Sequence, residues 1–198
     1  MTQKQMRNNR YIILLFAMTI IPFLIAGYLA ENRGWMNNTT NMGELIIPPV
    51  TTERNELTGY DDFSRNNIDE LVKHWVLIHI IPGAECSKVC LEALHKTKQL
   101  RLMMNKDLAR IRRVAIILKP VDQDIADRWW KEDARLLRVI PKPSMVEKIK
   151  KITRNNNLDG LLLIMDPLGN IMMQYRSGFD PYDVKKDLTR LLKVSQIG

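Results

Sequence analysis

The chain has 198 residues, of which 45% are hydrophobic and 26% charged, and its formal net charge is +8. These proportions are ordinary for a globular domain with its own core. Two cysteines are too few for a disulfide-rich scaffold. The class of protein must therefore come from the order of residues along the chain.

The first feature in chain order is an uncharged apolar segment, residues 11–30 (YIILLFAMTIIPFLIAGYLA). Because about 20 such residues span roughly 30 Å of hydrocarbon, the segment predicts a transmembrane helix. Residues 1–10 carry three cations and no acid, so they are predicted to stay in the cytoplasm, with the following domain on the periplasmic or extracytoplasmic side. A cleaved signal peptide is the alternative, but its cleavage positions place Leu24 or Tyr28 at −3. Both residues are large, which favours an uncleaved single-pass anchor in the inner (cytoplasmic) membrane.

Residues 31–60 are rich in Asn and Thr, contain Pro48-Pro49 and lack periodicity, so an extended tether is predicted. Residues 61–198 alternate between apolar strands and helices, which predicts an α/β domain. A closing hairpin makes its central sheet mixed. The predicted order is a strand at 76–81, a helix at 86–104, a strand at 114–118, a helix at 122–136, a short strand at 137–140, a helix capped by Ser144, a hairpin at 161–175 and a helix at 183–194.

The motif CSKVC places Cys86 and Cys90 directly after the first buried strand, where a helix is predicted to begin. Cysteines four residues apart on one helical face are close enough to bond to each other or to share one metal ion. A thiolate at a helix N-terminus is stabilised by the free amides and the helix dipole. The pair therefore suits copper(I) or reversible dithiol chemistry, and a plain structural disulfide is the alternative.

Two basic clusters stand in the soluble part, at residues 110–113 and 148–154. We interpret both as solvated basic faces, with lipid proximity as the second choice. Nucleic acid is not an expected partner, because the domain is predicted to lie outside the cytosol. Trp129-Trp130 is a further oddity: neighbours on a helix do not both face a core, so one ring is a candidate contact for a partner or lipid.

The anchor, the run HWVLIHII leading into CSKVC, the hairpin LLLIMDPLGNIMMQY and the terminal amphipathic helix together resemble the Sco/SenC family. Proteins of this family are membrane-anchored and assist cytochrome c oxidase assembly. The resemblance covers roughly residues 61–193. It implies a thioredoxin-like mixed sheet flanked by helices, preceded by one N-terminal transmembrane helix.

The resemblance also implies a site. In the family, two cysteines and a distant histidine bind copper, and the protein delivers copper, or reduces cysteines, at the copper site of oxidase subunit II. The partners that the resemblance implies are this subunit or other assembly factors. Cys86 and Cys90 match the two cysteines. The histidine would fall near Leu158, and residues 155–160 contain none, while Ser87 replaces the family's proline. These departures affect copper(I) binding more than a thiol-redox role.

The three histidines of the chain, His74, His79 and His95, offer no persuasive replacement ligand. The soft donors Met165, Met172 and Met173 are expected to pack in the hairpin.

Three hypotheses remain. The preferred one is a Sco-like assembly factor. The second is a tethered thiol–disulfide oxidoreductase, an enzyme with broader clients, in which Cys86 attacks and Cys90 resolves. The third is a non-catalytic thioredoxin-like membrane protein with a structural disulfide.

Overall fold

The computed structural model describes residues 3–31, 40–131, 133–153, 157–195 and 197, and for residues 3–10, 30 and 123 it describes the backbone only. The chain divides into two units, Met1–Thr40 and Asn41–Gly198.

The first unit contains helix α1, Gln3–Glu31. Within it, Tyr11–Leu29 has a mean hydropathy of 2.5, and none of this stretch is buried. By length and composition it is, in the described part of the chain, the one helix able to cross a membrane. Pro22 lies inside it, which membrane helices tolerate. The helix agrees with the segment predicted from the sequence.

The second unit is a seven-stranded sheet flanked by helices, and its strand order is β1-β7-β6-β3-β4-β5-β2. Strands β3, β4 and β5 run parallel, and the other pairings are antiparallel. The predicted fold class, a mixed sheet flanked by helices, is therefore confirmed. The elements are β1 Glu44–Thr51, β2 Leu57–Gly59, α2 Asp62–Asn67, β3 Trp75–Ile81, α3 Lys88–Met103, β4 Ile111–Ile117, α4 Gln123–Trp130, β5 Leu137–Pro141, α5 Pro143–Thr153, β6 Leu162–Met165, β7 Asn170–Tyr175 and α6 Pro181–Val194.

The central strand β3 is buried on both of its faces, and this explains the two core layers of the domain. Val76, Ile78 and Ile80 face the apolar side of α5, whereas Leu77 faces α3 and α6. Side chains of a strand alternate between the two faces of a sheet, so a strand buried on both faces reads as a continuous apolar run. This is why β3 was predictable from sequence.

The predicted tether is wrong for its second half. β1 pairs with β7, β2 pairs with β5, and the second unit begins at Asn41 rather than at residue 61. Prolines 48 and 49 lack the N–H group of a central strand, but β1 is an edge strand, where proline is tolerated. Residues 32–39 of the predicted tether lie outside the described residues.

Two helix boundaries also differ from the prediction. α4 ends at Trp130, before the predicted end at residue 136, and beyond it the Asp133 N–H donates to Trp130 O and the Leu136 N–H donates to Asp133 O. Ser144 does not cap α5, because the helix begins one residue earlier at Pro143. Proline suits the first helical position, where no N–H is required.

Candidate functional site

The two cysteines stand at the carboxyl edge of the parallel strands and form a disulfide, with 5.4 Å between their Cα atoms. The helix after β3 starts at Lys88, not at Cys86 as predicted. Cys86 therefore lies in the loop before the helix, whereas Cys90 lies in its first turn. Both side chains are turned inward: Cys86 is 6% exposed and Cys90 is 3% exposed.

Ser87, between the cysteines, is the N-cap of α3. Its Oγ accepts hydrogen bonds from the N–H groups of Val89 and Cys90, at 3.1 and 3.2 Å. The same hydroxyl donates to Asp159 Oδ2 at 2.6 Å. A serine cap satisfies amides that have no partner inside the helix. Because it holds the Cys90 amide, Ser87 ties the cysteine turn both to the helix and to a loop 72 residues away.

Gly160, in that loop, packs tightly against the start of α3, which carries Cys90. Its φ of +74° favours glycine, and an added Cβ would lie 2.7 Å from Val89 Cγ1 and 3.0 Å from Ser177 Oγ. Asp159 and Gly160 directly follow Leu158, near which the family's histidine was expected, and Asp159 is a site residue that was not predicted from the sequence. No local signal could identify it, because its contact with Ser87 is formed by the fold.

An apolar cluster surrounds the disulfide. Trp130 is buried in this cluster, and its Nε1 has no hydrogen-bond partner among the described residues. Half-buried Trp129 meets the Trp130 ring edge-on, with 5.4 Å between the centroids. Both rings thus pack beside the cysteines, and Trp129 is the more exposed of the two. The buried members are Ile81, Cys86, Cys90, Leu94, Ala115, Ile117, Ala126, Trp130 and Leu136.

A buried polar network fastens α3 to the sheet. His79 Nε2 lies 2.7 Å from Thr97 Oγ1, and Arg113 Nε donates to the same hydroxyl at 3.1 Å. Arg113 also donates to Leu94 O and to Asp133 Oδ2, both at 2.7 Å. Burial and the nearby Arg113 charge lower the pKa of His79 to about 3, so the imidazole is neutral. The solvated-face interpretation is wrong for Arg113, which is 3% exposed.

The described residues supply only part of a copper site. They contain no group of three His, Cys, Asp or Glu side chains able to hold a metal ion. His79 is engaged in the buried network, His74 contacts Val72 O at 2.9 Å, and His95 contacts Gln99. Two thiols are soft donors that suit copper(I), but the family's third ligand has no counterpart here. A cysteine–cysteine–histidine centre therefore does not fit this chain.

The methionines of the hairpin do not converge on the cysteines. Met165 belongs to the core on the α5 side of the sheet, and Met173 belongs to the core beneath α3 and α6. Met172 is only partly buried, at the edge of that second core. Their packing agrees with the structural role expected from the sequence.

A mixed sheet with a cysteine pair where β3 meets α3 defines a thioredoxin-like protein. A family model described as transmembrane-like, thioredoxin-like, C-terminal domain matches residues 75–195. The chain belongs to this family. The family and the apolar N-terminal helix together fit a single-pass membrane protein.

Solved structures of Sco proteins share the fold. Apo Sco1 from Thermus thermophilus is similar with a TM-score of 0.55 and 15% identity, covering 78% of this chain and 99% of that one. Yeast Sco1 with copper bound gives 0.53 and 12%, covering 80% and 96%. Arabidopsis thaliana ScoI with copper bound gives 0.50 and 14%, covering 64% and 89%. The predicted resemblance to Sco proteins is thus confirmed at the level of the fold. Comparison with curated proteins gave no significant match.

Proposed function

We propose that this protein is a membrane-anchored, Sco-like thiol–disulfide exchange protein whose Cys86–Cys90 pair reduces a disulfide in a client. The observation that carries the proposal is the position of the bonded pair at the start of α3, capped by Ser87 at the carboxyl edge of the parallel strands. A dithiol needs no third ligand, so the missing histidine does not weaken this role.

Within this protein, the exchange requires no side chain other than the two cysteines. In the reduced protein, the Cys86 thiolate attacks one sulfur of the client disulfide, and the other client sulfur leaves as a thiolate that takes up a proton. The Cys90 thiolate then attacks the Cys86 sulfur of the mixed disulfide and releases the second client thiol. The protein ends oxidised and the client reduced. An external dithiol reductant returns the protein to its starting state by the same two steps in reverse.

Cys86 is assigned the attacking role because it lies outside the helix. Its neighbours Ala84, Glu85 and Ser87 are exposed, so a small displacement of this loop would uncover its sulfur. The Cys90 amide is held by the Ser87 cap inside the first turn. A buried second cysteine is protected from outside thiols and suits the resolving step.

The client that the Sco resemblance implies is the cysteine pair of the copper site in cytochrome c oxidase subunit II. Residues 11–30 would anchor the protein in the inner (cytoplasmic) membrane, with residues 1–10 in the cytoplasm and the thioredoxin-like domain on the extracytoplasmic side. The three cationic residues before the anchor support this orientation.

The proposal is tested by the reduction potential of the pair. The full chain, in detergent, is equilibrated with glutathione buffers, and free thiols are counted by alkylation. A potential above about −300 mV supports exchange, whereas a lower value identifies a structural disulfide and overturns the proposal. Cys90→Ser should accumulate a mixed disulfide with an oxidised subunit II peptide. Cys86→Ser is the matched control and should accumulate none.

Delivery of copper(I) is a second candidate function, because the two sulfurs lie close enough together to bind one metal ion. Two thiolates can hold one copper(I) ion without a third protein ligand. The reduced full chain would be titrated anaerobically with copper(I) against a competing chelator. One ion per chain, lost in Cys86→Ser and in Cys90→Ser, would support delivery. Binding no stronger than in these variants would exclude it and leave thiol exchange as the function.

A further inference from the structure

Four arginines surround a concavity at the edge of the sheet opposite the cysteines. Its volume is about 380 Å³, within the range of small-ligand sites, roughly 300–1,000 Å³. Arg112 and Arg113 stand at the start of β4, which runs parallel to β3. The disulfide follows the carboxyl end of β3, so the two features lie at opposite edges. The charged residues that line the concavity are Glu70, Arg101, Arg112, Arg113 and Arg135.

Two of these arginines have carboxylate partners. Arg112 Nε donates to Glu70 Oε2, and Arg113 Nη1 donates to Asp133 Oδ2 at 2.7 Å. Arg113 is also bonded to backbone and hydroxyl oxygens, so it forms a wall of the concavity rather than a free donor.

The other two arginines keep donors available. Arg101 donates through Nε to Ile111 O at 3.0 Å, and it forms no ion pair with any described residue. Arg135 is exposed, and in the described part of the chain no acceptor contacts its guanidinium group. Their terminal nitrogens are thus open to a ligand.

The concavity carries an excess of positive charge that the protein itself does not balance. Burial, followed by the charges of Arg112, Arg135 and Arg113, lowers the pKa of Arg101. Like charges within one concavity repel each other, and a bound anion would offset the free-energy cost of this repulsion.

We propose that this concavity is a binding site for a phosphate-type oxyanion. Guanidinium groups are planar and donate two parallel hydrogen bonds to phosphate oxygens, which a cluster of lysines would not do. Arg101 and Arg135 contact the anion, and Arg112 adds charge from beside Glu70. The site is independent of the disulfide, so replacing Cys86 leaves phosphate binding unchanged.

The test is a calorimetric titration of the full chain, in a phosphate-free detergent, with inorganic phosphate at constant ionic strength. We expect saturable binding of one phosphate per chain. Arg135→Gln and Arg101→Gln should each weaken it about tenfold, the usual contribution of a charge-assisted hydrogen bond. Arg176→Gln removes the same charge from a well-exposed position outside the concavity and should change affinity less than twofold.

A second pair of variants tests the carboxylate in the concavity. Glu70→Gln removes an anion that competes with the ligand and should raise phosphate affinity several-fold. Asp69→Asn removes the same charge from the exposed neighbour, which pairs with Arg54, and should have little effect. Absence of saturable binding, or equal weakening by Arg176→Gln and Arg135→Gln, would overturn the proposal.

The phosphate could belong to a lipid headgroup or to a soluble compound, and nanodiscs separate these sources. A headgroup occupant predicts that phosphatidylglycerol discs weaken free-phosphate binding at least tenfold relative to phosphatidylcholine discs, with the difference absent in Arg101→Gln. Equal affinity in both discs supports a soluble phosphate compound. A difference that persists unchanged in Arg101→Gln reflects surface charge and overturns the lipid source.

Discussion

The neutral state of His79 predicts a specific acid sensitivity of the fold. This side chain is 2% exposed, contacts Thr97 and lies beside the charged Arg113. A proton on the imidazole would add a second positive charge in a buried site, and its cost appears as the pKa of about 3. In the unfolded chain the same group has a pKa of about 6.5.

The magnitude follows from proton linkage. Because the folded-state pKa lies below the unfolded one, His79 contributes stability that is present above pH 6.5 and is lost as the pH falls. Between pH 7 and pH 5 the unfolded chain takes up most of one proton at this site, and the folded chain takes up almost none. The free energy of unfolding therefore falls by about 2 kcal/mol over this interval from His79 alone.

Urea unfolding of residues 41–198 at pH 7 and pH 5 measures this loss. His79→Gln keeps a polar group near Thr97 but does not titrate, so its stability should fall by about 2 kcal/mol less than that of the wild type between the two pH values. His95→Gln, which changes an exposed histidine on α3, should retain the full loss. An equal loss in His79→Gln and the wild type would refute the interpretation.

Three further results are expected. Asp187→Ala removes the carboxylate whose Oδ2 accepts from Met42 N–H at 2.8 Å and from Tyr175 OH at 2.7 Å, and the free energy of unfolding in urea should fall by about 3 kcal/mol or more. A fall below about 1 kcal/mol would contradict a stabilising role for this carboxylate. Burial and that carboxylate raise the pKa of Tyr175, so its contribution to stability is lost as the pH rises above about 10; Tyr175→Phe should flatten the alkaline decline, and an unchanged decline would argue against it. Ser87→Ala removes the cap of α3 and should lower the free energy of unfolding by about 1 kcal/mol, measured by heat or urea. Asp159→Asn leaves the cap intact and should cost less. The reverse order would mean that the contact with the loop stabilises the fold more than the cap does.

Strands buried on both faces were predictable because their apolar runs are local signals. β3 and β4 were found this way, and the turn at Pro167–Gly169 located the hairpin between β6 and β7. β1 was not predicted because its apolar run, residues 45–47, is only three residues long and is followed by two prolines, which disfavour a strand. Its place in the sheet is decided by pairing with β7, more than a hundred residues further along the chain.

The same distinction separates what was found at the site from what was missed. Cys86 and Cys90 form a motif within five residues, so their pairing could be anticipated. Asp159 meets Ser87, and Arg113 meets Thr97, only after the chain has folded. Neither contact can be recognised from the local sequence. The basic cluster at residues 110–113 was therefore interpreted as a solvated face.

If the cysteine pair exchanges as proposed, the attachment of α3 limits which part of the site can move when the disulfide opens. Arg113 holds this helix at Leu94 O and Thr97 Oγ1, one to two turns beyond Cys90. The helix therefore forms a fixed wall on the Cys90 side, and the adjustment on opening the disulfide falls on residues 82–87, which end at the Ser87 cap. A client disulfide would bind between a fixed helix, α3, and a mobile loop, residues 82–87. The shape of this loop would decide which client disulfides can reach the cysteines.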